Sequence, residues 1–369
     1  MSQLLSVVLA GGGTAGHVSP LLAMADAIRQ AAPEARITVI GTAEGLESRL
    51  VPAAGYELRL IERVPMPRRP NLDALRFPVR YPRSVRASRA ILDQVGADVV
   101  VGVGGYVSTP VYAAARKAGI PIVVHEANAR AGLANRVGAK HAAVVGTAFE
   151  GTGLPGARLV GMPMRSGIAQ LDRAALRPQA RADFGLGEDG PVLLVTGGSL
   201  GAASLNRAVL GAAPALGAAG VQILHVTGRG KAMLGENGRP FEAPGYTQVE
   251  YVDGMERAYA AADLVLCRSG AGTVCELAAV GLPSILVPLP IGNGEQRLNG
   301  APLVAAGGAL MVDDAQLSAA WILEEALPLI TDPARLAGME AAARAHGVRD
   351  AAQKMAELII ASARKGERA

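Results

Sequence analysis

The amino-acid sequence predicts an α/β protein with two domains, each built on a parallel sheet. The chain has 369 residues, and one domain usually holds about 100–200 residues. Short apolar runs alternate with alanine-rich helical stretches, a pattern typical of parallel strands that are covered on both faces. Two segments half a chain apart, beginning at Leu4 and at Pro191, share one order of strand, glycine turn and helix.

The predicted strands are short, continuously apolar and rich in β-branched residues. Right-handed crossovers between parallel strands place the loop after each strand at the same edge of the sheet, where ligands bind. The runs are Leu4–Leu9, Ile37–Ile40, Val99–Val101, Ile122–Val124, Val192–Val195, Ile223–Val226, Leu264–Leu266 and Ile285–Val287.

The internal similarity predicts two Rossmann-like domains. "LLSVVLAGGGTAGHVSPLLAMADAI" opens the first and "PVLLVTGGSLGAASLNRAVL" opens the second. The boundary is expected near "GMPMRSG", so that the domains cover residues 1–164 and 165–345. A cleft between them, with glycine loops on both sides, is the expected site.

Composition and charge exclude several classes of protein. Apolar residues make up 50% of the chain and charged residues 18%, which is not the composition of a disordered protein. The net charge of +4 is too small over this length to indicate a nucleic-acid partner. The two cysteines, Cys267 and Cys275, fit a reducing compartment and are expected to be core thiols.

No secretory signal and no membrane span are expected from the sequence. The first apolar run, 4–10, has no basic segment before it and continues into glycines. The charge-free stretch 277–294 contains three prolines and three glycines, which favours a helix end, a strand and a loop. Any contact with a membrane is therefore expected to be peripheral.

The first glycine loop leaves a dinucleotide-dependent enzyme as an alternative. Gly11, Gly13 and Gly16 match the pattern G-x-G-x-x-G between a strand and a helix, where backbone amides can approach a phosphate. A dinucleotide site also needs an acidic residue at the end of the second strand. That strand ends at Ile40-Gly41-Thr42, and Glu34 precedes it, so redox chemistry is disfavoured.

His17 follows the first glycine loop at the start of a helix. The positive helix end disfavours the imidazolium form, which keeps the ring neutral and able to accept a proton. Position alone leaves two alternatives open, a general base and a histidine that only caps or packs there.

Six segments together carry a resemblance to a known family. They are "GGGTAGHVSPLLA", "VGVGGYVSTP", "HEANARAGLANR", "VTGGSLGA", "YVDGMERAYAAADLVLCRSGAGTVCELAAVGLPSILVPLP" and "NGEQRLNGAPLVAAGGA", in that order. From about residue 4 to 310 the chain resembles the MurG family, the inverting N-acetylglucosaminyltransferases of peptidoglycan synthesis. The resemblance implies the two-domain GT-B architecture, with a C-terminal helix around 349–363 that packs back on the first domain.

The resemblance implies that the second domain binds UDP-N-acetylglucosamine. Amides at the strand-to-helix turn would meet the diphosphate, and Glu276 would accept both ribose hydroxyls. The alternative for Glu276 is a first-turn partner of the helix dipole. The turn comprises Ser269, Gly270, Ala271, Gly272 and Thr273. The resemblance also implies that Ser199 donates to a phosphate and that Arg165 adds positive charge. The backbone of Val252 would contact uracil, and Gln296 would bind sugar hydroxyls.

The resemblance implies that a second group of residues, in the first domain, contacts the substrates. Thr14, Ala15 and Gly16 match the loop that faces the cleft, and Asn128 matches a donor-sugar contact. The segment 102–108, "GVGGYVS", could cradle the diphosphate of the acceptor. Glu126 has two interpretations, a direct chemical role and a structural role in holding its loop.

The implied reaction is one in-line displacement, with His17 as the base that takes the proton of the muramoyl 4-hydroxyl. The implied substrates are UDP-N-acetylglucosamine and undecaprenyl-diphospho-muramoyl-pentapeptide, and the implied location is the cytoplasmic face of the bacterial cell membrane. Other cell-wall synthesis enzymes are further candidate partners. The chain has no Asp-x-Asp motif and no metal-ligand spacing, so neither a metal ion nor another cofactor is expected.

Three alternatives remain at the level of sequence. Another GT-B transferase with a soluble acceptor and a UDP-N-acetylglucosamine 2-epimerase would share the fold. A non-catalytic protein that binds the lipid carrier would need neither His17 nor Glu276 for any turnover.

A basic segment in the first domain suggests contact with an anionic membrane. Between residues 63 and 89 lie eight arginines and one acidic residue, interleaved with apolar residues. Five prolines in the segment predict a broken surface rather than one long helix. The alternative is a solvated basic loop with a short helix. The arginines are Arg63, Arg68, Arg69, Arg76, Arg80, Arg83, Arg86 and Arg89.

Overall fold

In the computed structural model, residues 4–65, 72–198, 200–235 and 237–366 are described, with backbone only at 72–74 and 364–366. The chain divides into two compact units, Met1–Arg165 with Arg349–Ala369, and Ser166–Val348. Each unit contains one parallel sheet. The predicted fold class, two parallel α/β domains, is confirmed.

The first unit is built on a seven-stranded sheet in the order β3-β2-β1-β4-β5-β6-β7. Its apolar strands are buried between helices on both faces, as the continuous apolar runs predict. The strands are β1 (Ser6–Ala10), β2 (Arg36–Gly41), β3 (Glu57–Leu60), β4 (Val99–Gly102), β5 (Ile122–Glu126), β6 (Val144–Thr147) and β7 (Ala157–Leu159). The helices between them are α1 (Ala15–Ala31), α2 (Glu47–Ala53), α3 (Leu72–Val95), α4 (Gly105–Ala118) and α5 (Leu133–Ala139).

The second unit has a six-stranded sheet in the order β10-β9-β8-β11-β12-β13. Its strands are β8 (Val192–Thr196), β9 (Gln222–Val226), β10 (Tyr246–Val249), β11 (Leu264–Cys267), β12 (Ser284–Leu286) and β13 (Ala309–Met311). The helices are α6 (Ser166–Ala169), α7 (Arg173–Asp183), α8 (Ala203–Ala218), α9 (Met255–Ala261), α10 (Ala271–Val280), α11 (Glu295–Ala305), α12 (Ala319–Trp321), α13 (Leu327–Ile330) and α14 (Pro333–His346), with a π-helical turn at Ile322–Ala326 between α12 and α13.

The last helix, α15 (Ala351–Gly366), returns to the first unit. It packs along α1, and its buried Met355 and Ile359 join the core that contains Leu21 and Ile28. A Cβ at Gly146 in β6 would lie 2.6 Å from the Met355 sulfur, so the absence of a side chain there lets the helix approach the sheet. The C-terminal segment is therefore part of the first unit's core.

The helix α3 differs from the sequence prediction. The prediction that prolines break this basic segment is wrong, because α3 continues over Leu72–Val95 with Pro78 and Pro82 inside it. Both prolines are exposed. A proline removes one N–H donor from a helix, and water can bind the carbonyl left without it where the helix faces solvent. Arg68 and Arg69 lie outside the described residues.

Within the described part of the chain, none of the helices combines the length and the apolar composition needed to cross a bilayer.

Candidate active site

The carboxyl edge of the first sheet gathers three loops that the sequence singled out. Strands β1, β4 and β5 are neighbours, so the loops that follow them emerge side by side. The strand order reverses between β1 and β4, since the chain runs outward to β3 and then returns, and ligands bind α/β sheets at such a switch point.

His17 lies in the first turn of α1, where Thr14 is the N-cap residue. The Nδ1 atom of His17 is 3.1 Å from Oγ1 of Thr14. Burial lowers the pKa of His17, while the carboxylates of Glu126 and Glu47 act in the opposite direction. The ring is therefore neutral near pH 7 and able to accept a proton. Thr14, Ala15 and Gly16 are exposed beside it.

The glycine turn after β4 packs against both His17 and the loop after β1. A Cβ at Gly104 would lie 3.3 Å from Nε2 of His17 and 3.3 Å from Nδ2 of Asn135. A Cβ at Gly105 would lie 2.9 Å from the carbonyl oxygen of Gly12. Both glycines have positive φ, +96° and +81°, a conformation that L side chains rarely adopt. Glycine is thus required at both positions, because the turn approaches His17 and Gly12 closely and because its backbone has positive φ.

Glu126 is buried at the end of β5 and holds the loop that contains Asn128. Its Oε1 accepts the backbone N–H of Asn128 at 2.9 Å, and its Oε2 accepts the N–H of Gly132 at 3.0 Å and Nδ2 of Asn135 at 2.9 Å. Tyr112 in turn donates its hydroxyl to Oδ1 of Asn135 at 2.9 Å. Of the two interpretations of Glu126, this geometry supports the structural role of holding the loop.

In the second unit, the turn between β11 and α10 offers an open helix N-terminus. Gly270 is the N-cap residue of α10 and has no side chain to cover the first amides. A Cβ at Gly270 or Gly272 would meet no atom within 4 Å. Ser269 is fully buried, and its hydroxyl has no hydrogen-bond partner among the described residues. Unpaired amides and the positive helix end make this turn suitable for a phosphate.

Glu276 is the sixth residue of α10, so the alternative of a first-turn dipole partner is wrong. Its Oε2 accepts the hydroxyl of the buried Tyr259, in α9, at 2.8 Å. Burial, followed by the negative charge of Glu276, raises the pKa of Tyr259 well above its usual range, so the phenol remains a donor. The carboxylate is therefore held in a fixed orientation.

Arg268, directly after β11, connects several loops of this sheet edge. Its guanidinium donates to the carbonyls of Val287 and Pro288 at 3.2 and 3.3 Å and to the hydroxyl of Ser204 at 2.9 Å. It also pairs with Asp314 at 2.6 Å. Sequence reasoning missed this residue, because an arginine between a strand and a glycine turn gives no signal of such contacts.

The remaining predicted residues have different surroundings. Oε1 of Gln296 accepts the N–H of Leu289 at 3.0 Å and so closes the loop before α11. Val252 is buried after β10. Arg165 is exposed at the end of the first unit. Ser199 lies outside the described residues.

Of the two cysteines, Cys267 is a core residue, as the sequence predicts, and Cys275 is half-buried. Cys267 is buried in β11 and Cys275 lies in α10. Burial raises the pKa of each thiol to about 12, which leaves both uncharged near neutral pH.

Family domains match both units. Residues 7–147 match the glycosyltransferase family 28 N-terminal domain, and residues 192–355 match the glycosyltransferase family 28 C-terminal domain. The chain is 62% identical over 359 residues, 97% of this chain and 96% of the relative, to a protein of Paenarthrobacter aurescens (strain TC1). A relative from Mycolicibacterium smegmatis is 56% identical over 98% of this chain and 94% of its own. Both are named UDP-N-acetylglucosamine–N-acetylmuramyl-(pentapeptide) pyrophosphoryl-undecaprenol N-acetylglucosamine transferase.

Solved structures share the fold. Acinetobacter baumannii MurG superposes with a TM-score of 0.78 at 29% identity, covering 96% of this chain and 99% of that one. A UDP-GlcNAc 2-epimerase from Neisseria meningitidis reaches a TM-score of 0.67 at 13% identity, over 96% of this chain and 100% of its own. At that identity the likeness shows the fold alone, so architecture does not separate a transferase from an epimerase.

Proposed function

Because this chain belongs to glycosyltransferase family 28, we propose that it transfers N-acetylglucosamine from UDP-N-acetylglucosamine to the 4-hydroxyl of undecaprenyl-diphospho-N-acetylmuramoyl-pentapeptide, with inversion. The observation that carries the proposal is 62% identity, across nearly the whole length of both chains, to a protein with the name of this activity. The reaction belongs to the synthesis of the peptidoglycan cell wall.

His17 is the proposed base of a single displacement. The acceptor O4–H gives its proton to the imidazole while O4 bonds to the anomeric carbon, and the bond from that carbon to the diphosphate breaks. The electron pair of the broken bond leaves with UDP. When Nδ1 donates to Oγ1 of Thr14, the lone pair is on Nε2, on the side of Gly104. Burial supports this role, because it keeps the ring neutral before the reaction.

The donor is assigned to the second unit. The first amides of α10, together with the unpartnered hydroxyl of Ser269, are the proposed diphosphate ligands, and they would stabilise the charge that develops on departing UDP. Glu276 is the proposed ribose ligand, oriented by Tyr259. Thr273, Val252 and Gln296 complete the proposed contacts to the donor.

The exposed face of α3 is the proposed membrane contact. Leu75 and Val79 are 77% and 75% exposed, and the arginines at 76, 83 and 86 are exposed on the same helix. Apolar side chains can enter the interface of a bilayer while nearby arginines attract anionic lipids. This surface would bring a soluble fold to a lipid-linked acceptor at the cytoplasmic leaflet.

Transfer of labelled sugar from UDP-N-acetylglucosamine to a muramoyl-diphospholipid tests the proposal. We expect a labelled disaccharide lipid and no altered sugar when the acceptor is omitted. Because the sequence has no Asp-x-Asp motif, we expect the rate to persist in excess EDTA. Release of a different sugar without acceptor would identify an epimerase and overturn the proposal.

A further inference from the structure

Glu47 is a buried carboxylate close to the first glycine loop. It is the first residue of α2 and has no solvent exposure. Its Oε2 accepts the N–H of Gly13 at 2.8 Å. Its Oε1 accepts both the N–H of Thr42 at 2.9 Å and the hydroxyl of Thr42 at 2.8 Å. One side chain thus joins the loop after β1 to the loop after β2.

Three glycines leave the space that this carboxyl group occupies. A Cβ at Gly12 would lie 2.3 Å from Oε1 of Glu47, and one at Gly45 would lie 2.0 Å from Oε2. A Cβ at Gly41 would lie 2.5 Å from Cγ. Real Cβ atoms do not approach other atoms so closely. Three glycines from two chain segments, the loop after β1 and the stretch from the end of β2 to α2, therefore surround a single acidic side chain.

The group is ionised although it is buried. Burial opposes its charge, but the amides of Gly13 and Thr42 together with the Thr42 hydroxyl hold the pKa of Glu47 below its usual value. The Gly13 N–H is consequently occupied by a carboxylate of the protein itself. In a dinucleotide site, amides of this loop would be available to a phosphate.

We propose that Glu47 is the positioning residue for His17: its carboxylate fixes the loop that leads into α1 and adds negative charge to the surroundings of the imidazole. The proposal rests on the proposed role of His17 as the base. The loop is anchored at Gly13, one residue before the N-cap of α1, and His17 is the third residue of that helix. Movement of this anchor would therefore move the imidazole.

The charge of Glu47 also acts on the chemistry of the histidine. The carboxylates that act on His17 are Glu47, at the start of α2, and Glu126, at the end of β5. When His17 takes a proton from the acceptor, the imidazolium gains from both negative charges. Removal of one charge should make His17 a weaker base and should extend its neutral form to lower pH.

The test is the pH profile of kcat/KM for sugar transfer by Glu47→Gln. The amide has nearly the same size but no charge, and it cannot satisfy all three donors. We expect kcat/KM at the plateau to fall about 10- to 100-fold, and the acidic limb to move to lower pH. The affinity for UDP, measured by calorimetry, should stay at the wild-type value, because Ser269, the first amides of α10 and Glu276, the proposed ligands of the diphosphate and the ribose, belong to the other unit.

Two control variants separate charge from anchoring. Thr42→Val removes one donor to the carboxylate, and Gly12→Ala displaces the carboxylate sterically; both keep its charge. Each should lower the plateau without moving the acidic limb to lower pH. If Glu47→Gln fails to fold, an unchanged plateau in Gly12→Ala would still overturn the anchoring role.

The two proposals fail in different ways. Wild-type kcat/KM in a folded His17→Ala variant would overturn the base role of His17 itself. A folded Glu47→Gln variant with the wild-type plateau, measured beside an impaired His17→Ala, would overturn only the role of Glu47. A lowered plateau with an unmoved or raised acidic limb would reduce Glu47 to a structural support.

Discussion

A neighbouring hydroxyl contacts each of two side chains in the proposed site, the imidazole of His17 and the carboxylate of Glu276. Oγ1 of Thr14 lies 3.1 Å from the imidazole, and the Tyr259 phenol donates to the carboxylate at 2.8 Å. Each hydroxyl restricts the orientation of the imidazole or carboxylate that it contacts. At this scale, the proposed base and the proposed ribose ligand can be tested one side chain at a time.

Replacement of the base should affect turnover rather than donor binding. We expect His17→Ala to lower kcat for sugar transfer by about 10²- to 10⁴-fold, because a positioned base contributes that much to a proton transfer. The UDP dissociation constant should remain at its wild-type value. The exposed His141 supplies the control, since His141→Ala should leave kcat unchanged. An equal loss in both variants would exclude a specific role for His17.

Replacement of Glu276 should weaken the binding of the nucleotide. We expect Glu276→Ala to weaken UDP and UDP-N-acetylglucosamine alike, by about 1–3 kcal/mol, since hydrogen bonds to a charged group are lost. Tyr259→Phe should cost less, because the carboxylate remains. Gln296→Ala, by contrast, should weaken the UDP-sugar but not UDP. Calorimetry with both ligands separates these effects, and native UDP affinity in Glu276→Ala would refute the ribose assignment.

The contacts of some single residues could not be predicted from the sequence. The segment "AEGLESRL" looks like a solvated stretch, yet Glu47 within it is fully buried. Its burial depends on Gly12, which is 35 positions away and belongs to another strand's loop. Patterns of local periodicity contain no information about such a contact. The contacts of the half-buried Arg268 escaped prediction for the same reason.

At the scale of elements, the strands were predictable and α3 was not. The apolar runs, such as Val99–Val101 within β4, are continuous because both faces of a parallel sheet are covered. A proline inside a helix removes one N–H donor and crowds the carbonyl four residues earlier, and this cost is smaller where water can bind that carbonyl. Since Pro78 and Pro82 are exposed, tertiary packing on the opposite face can maintain the helix.

The contacts that the side chains of α3 make determine which of its arginines are suitable for a test of lipid binding. Arg80 donates to Oε1 of Glu62 at 2.8 Å and to the carbonyl of Arg63 at 2.8 Å, which ties α3 to the segment after β3. Phe77 and Tyr81 stack with ring centroids 5.2 Å apart and are half-buried. The exposed set suited to a test is therefore Arg76, Arg83 and Arg86, with Arg80 left in place.

The triple variant Arg76→Glu, Arg83→Glu and Arg86→Glu should lose binding to anionic vesicles. Each arginine near such lipids adds about 1 kcal/mol, and the attraction weakens as salt rises. Leu75 and Val79 should preserve part of the wild-type binding at high salt. The matched control reverses three exposed arginines of the second unit, Arg207, Arg239 and Arg335. Equal sedimentation of the α3 variant and wild type would place the docking surface elsewhere.

At the scale of the whole molecule, the two sheets repeat one arrangement. In the first sheet β1 lies between β2 and β4, and in the second sheet β8 lies between β9 and β11. Each of these two central strands leads through a glycine turn into a helix. The sequence predicted this repetition from two similar segments. The path of α15 back to the first unit followed only from family resemblance, because an amphipathic C-terminal helix does not itself identify the surface that it covers.

Buried histidines make the stability of the molecule depend on pH. His225 lies in β9 of the second unit, with Nδ1 2.8 Å from the Tyr246 hydroxyl and Nε2 3.1 Å from Oδ1 of Asn206. Burial lowers its pKa to about 4, and burial also lowers the pKa of His125 in the first unit. In both units the unfolded chain therefore binds protons that the folded chain does not bind until lower pH.

Stability should fall as pH decreases below about 6.5, and this loss should continue to about pH 4. For His225 alone, the free energy of unfolding at pH 5 should be about 2 kcal/mol lower than at pH 7.5. Urea unfolding followed at both pH values measures this difference. His225→Gln removes the titrating group and should reduce the pH dependence of the free energy of unfolding, even if the variant is less stable at pH 7.5. His141→Gln, at an exposed position, should keep the wild-type difference. Equal free energies of unfolding at the two pH values would contradict the assignment, because a histidine that is buried in its neutral form destabilises the folded chain at pH values where the free ring is charged.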